Sequence, residues 1–110
     1  MALHRQSCLP CRDGQPPLAP AECRRLLSEL QDWHLVENHH LCKRWSFADF
    51  ASALAFLQQA AEVCEAENHH AEFELGWGRL QAKIWTHQID GLTASDFVLA
   101  AKFDRLTHPA

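Results

Sequence analysis

The sequence predicts an α+β fold: a two-layer sandwich in which three helices lie on one face of a four-stranded antiparallel sheet, in the order α-β-β-α-β-β-α. Three observations carry that expectation. Apolar residues recur at steps of three and four in three segments, as they do when a helix buries one face. Apolar and polar residues alternate over residues 73–77 and again over residues 80–84, the period of half-buried strands. Short turn signals join the strands in two consecutive pairs, which makes hairpins and therefore an antiparallel sheet with one face wet.

Residues 1–19 contain Pro10, Gly14, Pro16 and Pro17, and are expected to form a flexible or extended leader ahead of a domain spanning residues 20–110. Pro20 suits the first position of a helix, and Glu22 lies in the first turn, where the helix dipole favours an acid. Cys23, Leu26, Leu27 and Leu30 carry that helix to about residue 31. Residues 33–37 and 41–47 are the first pair of strands, with Asn38, His39 and His40 as the turn. His39 and His40 are accordingly expected to be exposed and without a role. Ser46 and Asp49 make a start resembling a capping box, with Asp in place of the usual Glu. It opens a long helix with Phe47, Phe50, Leu54, Leu57, Ala61 and Cys64 on its apolar face, ending near Asn68. Gly76 and Gly78 bracket the turn of the second hairpin, whose second strand ends at Trp85, Thr86 and His87. Gly91 marks a further turn, and Thr93 with Asp96 forms a second capping-box pattern. The last helix follows, with Phe97, Leu99, Ala100, Phe103 and Leu106 as its apolar residues.

The 110 residues are 47% apolar and 22% charged, the make-up of one ordinary globular domain. A net charge of −4 with no basic run argues against nucleic acid as a partner. No apolar stretch approaches the roughly 18–20 residues that span a membrane, and the first residues lack the apolar core of a signal peptide. Five cysteines, an odd number, do not describe a secreted disulfide framework, so reduced thiols in the cytoplasm are expected. Cys8 and Cys11 form a lone C-x-x-C. A zinc ribbon needs a second pair, or histidines at ligand spacing, and a thioredoxin-like site needs a flanking strand and helix. Neither context is present, so the two are read as incidental thiols.

Residues 65–96 hold the best candidates for chemistry: Glu65, His69, His70, His87 and Asp96. Antiparallel pairing brings the end of the second strand back beside the start of the first, so His87 is expected close to His69 and His70. Three readings of such a set compete. Three imidazoles can bind zinc and leave a fourth position for water, although neighbouring residues of an extended segment point to opposite sides. Each histidine can instead be a surface or capping residue. Or the set works by acid–base catalysis without a metal, since imidazole gives and takes protons near neutrality and two rings can act as acid and base. Asp96 has a second role open to it, as the third residue after the Thr93 cap.

The same residues resemble a known family, the pterin-4a-carbinolamine dehydratases. Its hallmark is an acid, three residues, His-His-Pro, a following aromatic, Thr-His and a later Asp. Here these are Glu65, His69-His70-Ala71, Trp77, Thr86-His87 and Asp96. Glu72-Phe73, Gly91-Leu92-Thr93, Leu99-Ala100, Trp33 and the stretch from Trp45 to Phe50 also match, over about residues 20–108. Ala71 departs from the usual proline; it loses the fixed φ but adds no bulk. The resemblance implies a similar α+β fold and the dehydration of 4a-hydroxytetrahydropterin to quinonoid dihydropterin. This step recycles the tetrahydrobiopterin cofactor of aromatic amino-acid hydroxylases. It implies no cofactor and no metal, His69, His70 and His87 as the catalytic set, and Glu65 and Asp96 to orient them. It further implies pterin contacts from Asn68, Trp85, Thr86 and Gln88, with Trp33 closing one side. Members are homodimers or homotetramers, and pairing is expected through the edge strand at residues 73–77 or the helical layer. Some animal relatives also act as dimerisation cofactors for a homeodomain transcription factor, which implies a protein-binding scaffold as the alternative function.

Overall fold

The computed structural model describes residues 2–12 and 14–106. Its main elements are α1 (Pro20–Leu27), β1 (His34–Val36), β2 (His40–Ser46), α2 (Phe50–Glu67), β3 (Glu72–Gly76), β4 (Arg79–Ile84) and α3 (Ala94–Asp104), in the expected α-β-β-α-β-β-α order. The sheet is antiparallel throughout with strand order β1-β2-β4-β3. The two central strands pair from Leu41 opposite Ile84 to Ser46 opposite Arg79. Leu41, Trp45, Leu80, Ala82 and Ile84 are buried on the helical side, with Phe56 of α2 and Phe97, Leu99 and Phe103 of α3 in the same core. Alternation of residues along each strand is what sends this set to one face.

Three details of the elements differ from expectation. Helix α1 stops at Leu27, because the next turn tightens to i→i−3 bonds, Glu29 N–H to Leu26 and Leu30 N–H to Leu27. Asp32 then takes a left-handed conformation (φ 61°), which turns Trp33 into the core. Ser46 is the last residue of β2, and the N-cap of α2 is Asp49, which accepts the Ser52 N–H at 2.8 Å. The buried stripe of α2 is Ala53, Phe56, Ala60 and Cys64, whereas Phe50 and Leu54, expected inward, face solvent. Helix α2 carries two apolar stripes, and the one rich in alanine lets its backbone come close to the sheet.

The leader packs against the domain between Leu3 and Leu9. Residues Leu3–Arg5 form a single 3₁₀ turn whose Leu3 enters the hydrophobic core. Lys102 donates to the His4 carbonyl at 3.0 Å, and the Ser95 hydroxyl lies between the N–H and the carbonyl of Leu9. Cys8 N–H donates to Glu67 at 2.8 Å. This cover accounts for α3, which is buried nearly all round from Ser95 to Ala101; a helix apolar on every side must be enclosed on every side. Further along, Leu18 N–H bonds to the Leu92 carbonyl, and a Cβ at Gly91 would lie 2.8 Å from Pro17, so that close approach requires glycine.

Candidate active site

A cavity of about 560 Å³, the size of a small-ligand pocket, opens between the C-terminal end of α2, the end of β4 and the leader. It is lined by residues 8–11, 67–72 and 85–88. Helix α2 ends in a Schellman arrangement. Asn68 N–H bonds to Glu65, His69 N–H reaches back to Cys64, and Asn68 is left-handed (φ 52°), a conformation asparagine tolerates better than most. The chain leaves the helix sharply there, and the two histidines diverge. His69 turns inward and is 14% exposed; its Nε2 lies 2.6 Å from Asp96 Oδ1. His70 turns outward and places its Nε2 on the Glu65 carboxylate one turn back.

Asp96 is fully buried and takes both roles open to it. Its Oδ2 accepts the Thr93 N–H at 2.8 Å, closing the capping box of α3, and the Thr86 hydroxyl at 2.8 Å, while Oδ1 holds His69. Just beyond β4, Trp85 and Thr86 lead into a second 3₁₀ turn, His87–Ile89. The His87 ring stacks on Trp85 at 4.2 Å and 7°, and its Nε2 is 3.4 Å from Glu72 Oε2. Each of the three imidazoles thus has a carboxylate of its own at Nε2. At His69 and His70 a hydrogen-bonded carboxylate favours the tautomer with N–H on Nε2 and leaves Nδ1 as the acceptor, whereas Glu72 stands at the longer ion-pair distance from His87.

His69, His70, His87, Asn68, Trp85, Thr86 and Gln88 therefore share one cavity, with Glu65 and Asp96 behind two of the rings. Trp33 does not join them. It is buried against Trp45 and Phe103 and donates its indole N–H to Asp104, which also pairs with Lys43. An aromatic next to a strand start suits a core position equally well, and that is where its N–H finds a partner.

Sequence reasoning missed two contributors to the cavity, Glu72 and residues 8–11, and misjudged the burial of a histidine pair nearby. Glu72 follows from the hairpin register, since Glu72 opposite Lys83 puts it beside the residues just after β4. Residues 8–11 wall the pocket, and the run of apolar residues in α3 was the sign that something had to cover it. His39 and His40, expected to be exposed turn residues, are half-buried against Trp85, and His40 belongs to β2. Burial, and then His39, hold the His40 imidazole below its ordinary range. Burial and the Glu67 carboxylate push the Cys8 thiol up to about 12. Among the described residues, no three His, Cys, Asp or Glu side chains are placed to hold one metal ion, and no helix is long and apolar enough to cross a membrane.

The fold is thus an α+β sandwich with three imidazoles, each beside a carboxylate, at one open cavity of small-ligand size. Residues 16–106 match the family model described as pterin 4 alpha carbinolamine dehydratase, and the chain belongs to that family. Relatives provisionally given the family's name support this. One from Rubrobacter xylanophilus is 46% identical over 104 residues, covering 94% of this chain and 97% of its own. Another, from Rickettsia bellii (strain OSU 85-389), is 46% identical over 106 residues, covering 96% and 94%. A crystal structure from Brucella melitensis, described as a transcriptional coactivator/pterin dehydratase, superposes with a TM-score of 0.75 at 29% identity, over 80% of this chain and 95% of that one. A pterin dehydratase-like protein identified as a RuBisCO assembly factor shares the fold, with a TM-score of 0.57 at 21% identity, over 67% and 87%.

Proposed function

We propose that this chain dehydrates 4a-hydroxytetrahydropterin to quinonoid dihydropterin, in the cytoplasm, in the recycling of the tetrahydrobiopterin used by aromatic amino-acid hydroxylases. The observation that carries the reading is the set of three imidazoles around one cavity, each with a separate carboxylate at Nε2. The reaction breaks the C4a–O bond, and the hydroxyl takes up a proton and departs as water. N5 gives up its proton, and the electron pair so freed forms the N5=C4a double bond. Nothing is oxidised or reduced, so a proton donor and a proton acceptor are sufficient. A neutral ring accepts at Nδ1; a protonated ring donates there while its carboxylate stabilises the imidazolium.

His69, His70 and His87 are the proton-moving set in this reading, with Glu65, Glu72 and Asp96 as their partners. Asn68, Trp85, Thr86 and Gln88 contact the pterin. A zinc site would need three ring nitrogens converging on one point at about 2.0–2.1 Å. Pairing of each Nε2 with a different carboxylate favours proton transfer over metal ligation. The alternative, a protein-binding scaffold, makes no demand on these rings, which separates the two readings experimentally; the Brucella melitensis protein is described as a transcriptional coactivator as well as a pterin dehydratase.

The test is the rate of 4a-hydroxytetrahydropterin dehydration by the purified chain, before and after chelation. Activity is expected to persist with chelator, and His69→Ala or His87→Ala to cut it by roughly two to four orders of magnitude. Loss on chelation would overturn the metal-free mechanism. Full activity in folded variants would remove the histidines from it and leave the scaffold as the better account.

A further inference from the structure

We propose that His39, His40 and Asp90, none of which lines the pocket, are positioning residues that hold Trp85 and, through it, the His87 ring; the proposal rests on the dehydratase reading of that pocket. His87 needs such support. Its side chain is 54% exposed, it stands at the start of a single 3₁₀ turn outside the sheet, and its contacts are the Trp85 stack and the more distant Glu72. Trp85 lies one residue past β4, where the strand ladder no longer fixes it. Trp85 rests on the edge of the hydrophobic core, and beside His87 the second histidine pair also bears on its ring. The His39 and His40 rings sit 5.4 and 5.8 Å from the indole, tilted by 43° and 54°.

The pair is itself tied to the loop that carries His87. His39 Nε2 lies 2.6 Å from Asp90 Oδ1, and Asp90 is the left-handed residue (φ 51°) closing the 3₁₀ turn, its N–H bonded to the His87 carbonyl. Thr86 and Gly91 bridge the base of this loop through two backbone bonds. Across the pair, the two Nδ1 atoms are 3.0 Å apart. A hydrogen bond there needs one proton between them, so one ring donates and the other accepts. A neutral His40, favoured by its burial, fits either arrangement so long as His39 keeps its Nε2–H for Asp90. The chain of contacts runs Asp90 to His39, His39 and His40 to Trp85, and Trp85 to His87. The links are a short bond from His39 to Asp90, tilted ring contacts of His39 and His40 with Trp85, and the Trp85–His87 stack; together they restrict rotation, and reacting groups displaced by about 1 Å lose on the order of a hundred-fold in rate.

The experiment compares wild type, His39→Ala with His40→Ala, Asp90→Gly and His39→Gln in the dehydration assay. It also compares the NMR signals of the His87 ring protons, assigned with His87→Ala. Stacked on an indole, those protons are shifted upfield. The double variant is expected to lower kcat roughly ten-fold, part of the His87 contribution, with KM changed less than about two-fold, and to move the His87 signals toward those of a free imidazole. His39→Gln, whose amide N–H reaches Asp90 from a similar distance, should recover part of both. Should the double variant fold poorly, Asp90→Gly removes the exposed carboxylate, tolerates the left-handed backbone there and should shift the His87 signals in the same direction. Unchanged His87 signals and kcat in folded variants would overturn the proposal. A wild-type chain without dehydratase activity would overturn the dehydratase reading instead, and the NMR comparison would still decide whether the pair positions His87.

Discussion

Asp96 accepts three hydrogen bonds in full burial, and they come from a helix cap, a loop hydroxyl and a candidate catalytic ring. In Asp96→Asn the amide oxygen is expected to take the Oδ2 position, where two donors point at it. The NH₂ group then faces His69 Nε2, which has to accept, so the ring proton moves to Nδ1. The cap survives in part, and unfolding in urea should show a loss of only about 1–2 kcal/mol. Dehydratase activity should fall by about two to four orders of magnitude, because the tautomer rather than the fold is inverted. Parallel losses in stability and activity in the Thr93→Ala variant would show that Asp96 acts through the helix alone. Both roles of Asp96 are legible in the sequence, because its distance from Thr93 is a local signal and its place in the motif an additional one. The partnerships of Glu72 with His87 and of His39 with Asp90 are not, because each depends on which strand ends meet in space.

At the scale of elements, the number, type and order of helices and strands follow from periodicity, while the facing of α2 does not. Phe50 and Leu54 outweigh Ala53 and Ala60 in bulk, so a count of apolar side chains points the wrong stripe inward. The sheet selects the smaller residues because they allow closer approach. The leader was illegible for a related reason: its prolines describe a chain without regular structure, and they say nothing of where it lies. Its docking has a consequence for the pocket, since residues 8–11 form a wall that hangs on Leu3, Ser95, Glu67 and Lys102. Leu3→Ala should loosen that wall at a cost below the roughly 2–5 kcal/mol of a central Leu→Ala change, because the rest of the core stays closed. Two readouts follow. At pH 8 the Cys8 thiol, pushed up to about 12 in the docked leader, should resist alkylation in wild type and react in the variant. KM for the pterin should rise while kcat holds. A variant in which Cys8 stays protected and KM is unchanged would mean that Leu3 does not anchor the wall.

Taken as a whole, the molecule leaves two surfaces that a solitary domain has little reason to keep. Phe50 and Leu54 expose an apolar stripe along α2, at 45% and 38%, and Trp77 at the tip of the second hairpin is 72% exposed. β3 is an edge strand, with one side of its backbone open to pairing. Its outward residues Glu72 and Glu74 bring like charges together in a strand-to-strand contact between copies, although Arg79 lies 3.4 Å from Glu74. The α2 stripe has no such opposition, and burying it against a second copy removes apolar area from water at roughly 25 cal/mol per Å². A two-fold contact along α2 is also self-complementary, as closed symmetric assemblies require. We therefore expect the chain to sediment above its monomer mass, and Phe50→Glu with Leu54→Glu to lower the assembly by at least one step. Trp77→Glu should leave it unchanged. The pocket lies at the far, C-terminal end of α2 from Phe50, so the double variant should keep its dehydratase rate per chain. A wild-type monomer at micromolar concentration would remove the stripe as an interface, and a double variant that still assembles fully would move the contact to the β3 edge.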